Sequence, residues 1–192
     1  DKVNSEYGWG DSETDFRSYI TSLQNFQNHG VIVRSAGNDS TASDASISSA
    51  LAILFPEIDG AYISVANKDV TGTDTLTYTN YGNPCGQAGP ICMAADGTNM
   101  TGAHSVSSGS SYHINGTGTS YAAPQVAGAV ALMADHFPNQ TPAQWTDRLL
   151  ASADNTIGGW SHVNKVDFGN GVTHGYSWEA GHGMLDIYAA LQ

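Results

Sequence analysis

An unusually apolar helix that follows a glycine-rich turn constrains the fold of this chain more than any other feature. The turn and the start of the helix read GTGTSYAAPQVAG over residues 116–128. Apolar spacing predicts a helix from Ser120 to about His136 that has no polar face, and a helix apolar all round is a buried one. Pro124 is assigned to the first turn, where its missing N–H breaks no helical bond. We therefore expect a buried helix whose N-terminus brings Ser120 to the surface.

The predicted position of Ser120 suits the development of negative charge. The N-terminus of a helix carries free N–H groups and the positive end of the helix dipole. A serine at such a position commonly acts as an N-cap, and that structural role is the alternative to a chemical one. A serine becomes a nucleophile only where a base takes its proton and hydrogen-bond donors stabilise the resulting oxyanion. A chemical role for Ser120 therefore requires a donor and a base elsewhere in the fold.

Composition limits the classes of function open to the chain. Its 192 residues suffice for one domain with a substantial core. The formal net charge of −12, with only six lysines and arginines, argues against nucleic-acid binding, because phosphates require cationic partners. No apolar run of about 18 residues indicates a membrane span. No signal peptide opens the sequence, and we expect a mature or cleaved fragment of a longer product.

The two cysteines, Cys85 and Cys92, bracket a short loop that contains glycine and proline. Such a pair can be a disulfide, a reduced buried pair or half of a zinc site. No second Cys/His pair with the spacing of a zinc site accompanies it. We therefore predict a disulfide, which indicates an oxidising, extracytoplasmic compartment.

Hydrophobic spacing along the chain predicts strands that alternate with helices. Strands are predicted at 3–7, 31–35, 61–66, 75–81 and 111–115, helices at 15–28, 120–136, 141–152 and 186–191, and a loop at 97–109. The helix at 141 begins with the capping-box sequence TPAQ. A strand, a helix and a second strand in succession indicate a βαβ unit and a parallel sheet.

Four stretches resemble motifs of the subtilisin-like serine proteases (subtilases, peptidase family S8), in the order of that family. VNSEYGWG at 3–10 is similar to the strand that lines the substrate cleft, and VIVRSAGN at 31–38 to the strand and turn that present the oxyanion-hole asparagine. GTSYAAPQVAG at 118–128 resembles the nucleophile motif, and GHGMLD at 181–186 the closing segment. The resemblance covers nearly the whole chain. It implies an α/β fold, a doubly wound parallel sheet of the subtilisin-like type whose N-terminal part is missing, with residues 1–192 as the C-terminal portion of one catalytic domain.

The resemblance also implies which residues carry the chemistry. Ser120 corresponds to the nucleophile and Asn38 to the side-chain donor of the oxyanion hole, with the Ser120 backbone N–H as a second donor. Thr119 is expected to add a hydroxyl behind them or to cap the turn. An asparagine that stabilises its own turn is the structural alternative for Asn38.

The base expected of this family has no counterpart in the sequence. Subtilases order their triad Asp, His, Ser, with the first two upstream of the cleft strand. None of the seven histidines follows a glycine-rich turn that enters a helix; they are His29, His104, His113, His136, His162, His174 and His182. We expect the catalytic aspartate and histidine on a missing upstream segment or a companion chain. This polypeptide alone should then not be a competent protease.

The resemblance implies that a peptide substrate adds as an extended strand beside residues 3–10. The substrate-binding residues that follow from it are Glu6, Tyr7, Gly8, Trp9, Ser35, Ala36, Gly37 and Thr119. Glu6 stands where relatives usually carry a small residue, and a carboxylate facing the cleft would favour basic or polar substrate residues. Tyr7 and Trp9 have core packing as their structural alternative.

A second resemblance concerns the cysteine loop, NPCGQAGPICMAA at 83–95, which is similar to the disulfide loop of subtilases secreted by bacterial autotransporters. It implies a secreted or cell-surface location. A bacterial source is favoured further because Asn38 lies in a glycosylation sequon, and a glycan there would destroy the oxyanion hole. Catalysis of this type requires no cofactor. Structural calcium is common in the family. The acidic residues in predicted loops that could serve as its ligands are Asp39, Asp44, Asp69 and Asp74.

Two classes of function remain open at this point. The first is a secreted serine endopeptidase that cuts peptide bonds through an acyl-enzyme. The second is a non-catalytic fragment that keeps the fold as a peptide-binding or structural module, which the absent base favours. An esterase of the α/β-hydrolase type fits poorly because Ala122 stands where its motif requires glycine. Acid-active relatives that use glutamate and aspartate place an aspartate where this chain has Asn38.

Overall fold

A computed structural model of the chain describes residues 13–71, 75–77, 82–103, 113–158 and 160–192. The helices are α1 (Glu13–Phe26), α2 (Leu51–Leu54), α3 (Thr119–His136), α4 (Pro142–Ala151) and α5 (Ile187–Ala190). The strands are β1 (Ile32–Ser35), β2 (Tyr62–Asn67), β3 (Asp69–Thr71), β4 (Thr75–Thr77), β5 (Cys92–Ala95), β6 (Met100–Ala103), β7 (His113–Gly116), β8 (Asn164–Asp167) and β9 (Thr173–Tyr176). Short 3-10 helices span Pro56–Ile58 and Gly86–Ile91. The cleft strand predicted at 3–10 lies outside the described residues.

The central element is a parallel sheet in the order β1-β2-β5. Ile32 is paired with Tyr62 in the first ladder, and Ser64 with Cys92 in the second. Every residue of β2 is buried, as is usual for a parallel strand that is covered on both faces. The predicted parallel sheet is thereby confirmed.

Helices cover both faces of this sheet. On one face Ile32 and Tyr62 belong to a core cluster that includes Phe16 and Ile20 of α1. On the other face, residues of alternate register join a second cluster with α3 and α4; from the sheet these are Ile63, Val65, Met93 and Ala95. This alternation follows from the period of two along a strand. It confirms the predicted doubly wound α/β fold.

The prediction of a loop at 97–109 was wrong in part. Residues 100–103 form β6, which pairs antiparallel with β7 in a register that sets Met100 opposite Gly116. The strand is short and half exposed, and its Met-Thr-Gly-Ala sequence lacks the β-branched run that marks β1. By contrast, the strand predicted at 75–81 is present at its start, where β4 pairs antiparallel with β3. Residues 78–81 lie outside the described part.

The expectation that the central helix is buried all round was also wrong. Helix α3 contacts the sheet through Ala122, Val126, Ala129 and Met133. Its opposite side is an exposed apolar face, which we define as Pro124, Ala127, Gly128, Ala131 and Leu132. Leu132 is 52% exposed, and an added Cβ at Gly128 would meet no atom within 4 Å. The helix therefore has an apolar side that no described residue covers.

Pro124 also differs from its predicted place. The helix begins at Thr119, so Pro124 lies in the second turn and its missing N–H leaves the Ser120 carbonyl without its usual intrahelical partner. Two further predictions hold. Thr141 and Gln144 form both bonds of the capping box at α4, and Cys85 is bonded to Cys92. No described helix combines the length and apolarity needed to cross a membrane.

Candidate active site

Ser120 lies at the exposed N-terminal end of α3, as the sequence predicts. The N-cap of this helix is Gly118, which has no side chain to cap it. Ser120 is the second helical residue and therefore is not the N-cap. Gly118 has φ +153°, and a Cβ at this position would lie 3.0 Å from Asn38 Oδ1. The Ser120 N–H belongs to the first turn, where no intrahelical acceptor is available. A hydroxyl and a free backbone donor therefore meet at the positive end of the helix.

Asn38 and Thr119 are joined by direct hydrogen bonds. The Asn38 Oδ1 atom accepts from the Thr119 N–H at 3.0 Å and from the Thr119 hydroxyl at 3.0 Å. The same hydroxyl lies 3.1 Å from the Gly37 carbonyl oxygen and accepts from the Gly37 N–H at 3.3 Å. Because an N–H can only donate to the amide oxygen, these bonds fix which way the Asn38 amide is turned. Its Nδ2 donates to no described residue, and the exposed Asn38 side chain lies against Thr119, the residue before Ser120.

Residues that sequence reasoning missed hold the turn before the serine. The Gly118 N–H donates to the Gly97 carbonyl at 3.0 Å, and the Gly97 N–H donates to Asn67 Oδ1 at 2.7 Å. An added Cβ at Gly97 would lie 2.5 Å from the Gly118 carbonyl oxygen, so only glycine fits there. Gln125 donates to the carbonyls of Asp96 and Tyr121. No local pattern identifies Asn67, because it is simply the last residue of a buried strand.

The profile of the Subtilase family matches residues 5–178 of this sequence, which is most of the chain. The chain belongs to the subtilase family. The "Extracellular serine protease" of Serratia marcescens is 27% identical over 200 residues, which cover 88% of this subtilase chain and 19% of that protein.

Solved structures share the fold. The prenylagaramide maturation protease PagA aligns with a TM-score of 0.64 at 20% identity, over 95% of this subtilase chain and 56% of that one. Fervidolysin from Fervidobacterium pennivorans, described as a keratinolytic enzyme related to subtilisin, aligns with a TM-score of 0.60 at 24% identity. The alignment covers 90% of this chain and 24% of the fervidolysin chain. The subtilase chain thus spans well under two thirds of each relative.

The structure brings together only part of the predicted substrate site. Ser35 ends β1, buried Ala36 follows it, and Gly37 contacts Thr119 directly. The other predicted contacts, Glu6, Tyr7, Gly8 and Trp9, lie outside the described residues. The described part of the predicted site therefore consists of Ser120, Asn38, Thr119 and residues 35–37.

Four histidines of the subtilase chain, His29, His136, His174 and His182, make no described hydrogen bond to Ser120. His29 follows α1 and is exposed. His136 ends α3, sixteen residues beyond the serine, or about 24 Å along a helix that rises 1.5 Å per residue. His174 and His182 contact each other and do not contact Ser120. The side chain of His113 and the whole of His104 lie outside the described part.

His174 and His182 are hydrogen-bonded to each other, and His182 contacts the cysteine loop; we call this pair the His174–His182 relay. His182 is fully buried, and its Nε2 lies 3.0 Å from the Pro90 carbonyl oxygen. Since a carbonyl can only accept, His182 Nε2 carries the proton, and His182 Nδ1 accepts from His174 Nδ1 at 3.1 Å. His174 Nε2 then accepts from the Asn155 side chain at 3.2 Å. Both rings are neutral in this arrangement.

Acidification should destabilise the fold through this relay. Burial lowers the pKa of His182 to about 4, and burial lowers the pKa of His174 as well. The unfolded chain, with an ordinary histidine pKa of about 6.5, therefore binds more protons than the folded chain between pH 6.5 and 4. Stability from His182 is complete above about pH 6.5 and is lost as the pH falls toward 4. We expect a loss of about 2–3 kcal/mol between pH 7.5 and 4.5.

Urea unfolding at the two pH values measures this effect. His182→Gln should lower stability at pH 7.5 but flatten the dependence on pH. His29→Gln, which alters an exposed histidine, should leave the dependence as in the wild type. An equal dependence in all three proteins would contradict the assignment to His182.

No group of three or more His, Cys, Asp or Glu side chains in the described part is arranged to hold a metal ion. Of the four acids predicted to lie in loops, Asp69 instead begins β3, whereas Asp39 and Asp44 organise their own loop. Asp39 Oδ1 accepts from the Thr41 hydroxyl and N–H, which hold the pKa of Asp39 below its usual value. Asp44 Oδ1 accepts from the backbone N–H groups of Ala45 and Gln87. Asp74 lies outside the described residues, and structural calcium stays a prediction.

Proposed function

We propose that this subtilase chain provides the nucleophile and the oxyanion hole of a serine endopeptidase. The observation that carries the proposal is the fixed orientation of the Asn38 amide. Its oxygen is held by two bonds from Thr119 at 3.0 Å, so its Nδ2 is the donor presented beside Ser120. The bonds from Thr119 leave this N–H as an exposed donor at the N-terminal end of the helix that carries Ser120.

The reaction that fits these groups is acyl transfer. The Ser120 Oγ attacks the carbonyl carbon of the scissile bond, and its proton passes to a base. The Asn38 Nδ2–H and the Ser120 N–H donate to the oxygen as it becomes negative. Collapse of the tetrahedral intermediate expels the amine, which takes the proton, and leaves an ester on Ser120. Water then attacks the ester carbonyl as its proton passes to the base, and collapse of this second intermediate expels the Ser120 oxygen, which takes the proton back, and releases the carboxylic acid.

The base in this proposal is a histidine, oriented by an aspartate, on an upstream segment or companion chain. Residues 1–192 are then the C-terminal portion of one catalytic domain. Two observations support this division: the chain spans 56% of the PagA chain, and no described residue covers the apolar face of α3, the helix that carries Ser120 near its start. An upstream segment seated on that face would reach the serine directly.

We propose further that substrates are peptides bound as an added strand beside residues 3–10, and that the protease is secreted. The Cys85–Cys92 disulfide and the name of the Serratia relative support an extracytoplasmic location. The autotransporter subgroup rests on the cysteine-loop resemblance. No cofactor takes part in this chemistry.

The second candidate is a non-catalytic peptide-binding module. It is favoured by one observation: His29, His136, His174 and His182 make no described hydrogen bond to Ser120.

Hydrolysis by the chain with and without its upstream segment separates the two candidates. Coexpression with the segment encoded immediately upstream should give cleavage of a fluorogenic casein substrate, and the chain alone should give none. Binding of peptide by both preparations with hydrolysis by neither would establish the module instead.

A further inference from the structure

Asn83 lies at the junction between the oxyanion loop, residues 36–46, and the cysteine loop, residues 83–95. It is only 6% exposed, although asparagine is usually a surface residue. It follows Gly82, whose own position is tight because an added Cβ would lie 3.1 Å from Thr119 Cγ2. Asn83 therefore lies in the layer directly behind the residues that hold Ser120.

Three hydrogen bonds join Asn83 to the oxyanion loop. Its backbone N–H donates to the Gly37 carbonyl at 2.9 Å. Its Oδ1 accepts from the Asp39 N–H at 2.8 Å, and its Nδ2 donates to the Asp44 carbonyl at 2.8 Å. Gly37 and Asp39 are the two neighbours of Asn38 in the chain. Asn83 thus fixes the backbone on both sides of the proposed oxyanion donor.

Steric contact reinforces these bonds. Gly37 has φ +119°, a backbone conformation that favours glycine. A Cβ at this position would lie 2.7 Å from Asn83 Oδ1. The Asn83 amide is packed against the backbone of the turn, and loss of this amide would leave room for the turn to move.

The segment that follows Asn83 is fixed to the central sheet by the disulfide. Pro84 and Cys85 follow it, and Cys85 is tied by the disulfide to Cys92, the first residue of β5 in the central sheet. The next bond between the two loops runs from the Gln87 N–H to Asp44 Oδ1 at 2.8 Å. The sheet, the disulfide and Asn83 therefore form a continuous support for the turn that carries Asn38.

We propose that Asn83 is the positioning residue for the oxyanion donor Asn38. The inference rests on the proposed function, because it assigns to Asn83 a role in the same reaction. Oxyanion donors act only when they are held at hydrogen-bond distance from the developing charge. A displacement of about 1 Å can lower a rate about 10²-fold. Without the Asn83 side chain, Asn38 would keep its bonds to Thr119 and Gly37 its bond from the Asn83 N–H, but the bonds at Asp39 and Asp44 would be lost.

Asn83→Ala in the complete protease should lower kcat about 10- to 100-fold and change KM less than about threefold. Asn83→Asp keeps an acceptor for the Asp39 N–H but turns a buried carboxylate oxygen toward the Asp44 carbonyl, so its kcat should fall at least as far as in Asn83→Ala. Asn155→Ala is the matched control, since it removes a side-chain bond to His174 distant from the turn. It should alter stability and leave kcat unchanged.

A double-mutant cycle with Asn38→Ala decides whether Asn83 acts through Asn38. If it does, Asn83→Ala should lower kcat little further once Asn38 is alanine. Fully multiplicative effects, or a kcat within about threefold of wild type for Asn83→Ala alone, would overturn the inference. In the isolated chain, the NMR signals of the Asn38 side-chain amide should shift in Asn83→Ala and Asn83→Asp but not in Asn155→Ala. Unshifted signals in both Asn83 variants would overturn it as well.

Failure of this inference is distinct from failure of the proposed function. If the wild-type protease loses hydrolysis on replacement of Ser120 but not of Asn83, only the role of Asn83 is wrong. If replacement of Ser120 leaves hydrolysis intact, the proposed function itself is wrong.

Discussion

Replacement of Ser120 by alanine should abolish peptide hydrolysis by the complete protease. The expected loss in kcat is about 10⁶-fold, a magnitude measured for the nucleophile of a subtilisin and therefore a family value. The physical reason is that no covalent intermediate can form without the Oγ atom, so the remaining donors act only on direct attack by water. Because Ser120 is exposed, the variant should keep the stability of the wild type within about 0.5 kcal/mol.

Ser22→Ala provides the control for this experiment. Ser22 is an exposed serine of α1 whose hydroxyl donates to the Ser18 carbonyl at 2.8 Å. Its replacement should change neither hydrolysis nor peptide binding. Hydrolysis by Ser120→Ala within tenfold of the wild type would place the nucleophile elsewhere.

Replacement of Asn38 by alanine is the second large effect that we expect. Loss of its Nδ2 donor should lower kcat about 10²- to 10³-fold, the range known for the corresponding donor of a subtilisin. KM should change little, because the donor acts on the charge that develops in the transition state and not on the bound substrate. Steady-state kinetics with a peptide anilide substrate measure both constants.

Asn38→Asp tests the amide nitrogen alone. Its carboxylate keeps an oxygen for the two bonds from Thr119 at 3.0 Å but replaces the donor by a negative charge beside the developing oxyanion. We expect kcat to fall at least as far as in Asn38→Ala. If Asn38→Asp retained the kcat of the wild type, Asn38 would be a structural residue of its turn.

Much of the fold follows from local sequence. The β-branched run at 31–35 forms β1, the TPAQ sequence caps α4, and the apolar stretch after Gly118 forms α3. These segments were predictable because spacing, capping and turn chemistry agree within a few residues. The disulfide was predictable because no second Cys/His pair with the spacing of a zinc site accompanies Cys85 and Cys92.

The features that sequence did not predict depend on contacts between distant segments. Asn83 gains its importance from bonds to residues 37, 39 and 44, which no local pattern reveals. The His174–His182 relay arises only because a hairpin brings its strand beside the closing segment. The exposed side of α3 was not predicted for a different reason. Apolar spacing indicates that one side of a helix avoids water, but it does not indicate which segment or chain covers that side.

The central claim is that Ser120 is the nucleophile of a site completed by a base from outside the chain. Intact-mass measurement after treatment with a fluorophosphonate tests it most directly, since the phosphorus is attacked only by an activated hydroxyl and fluoride leaves. We predict one adduct on the chain when it is coexpressed with its upstream segment, mapped to Ser120, and none on Ser120→Ala or on the chain alone. A protease that cleaves peptides but carries its adduct on another residue, or that cleaves without any adduct, would contradict the account.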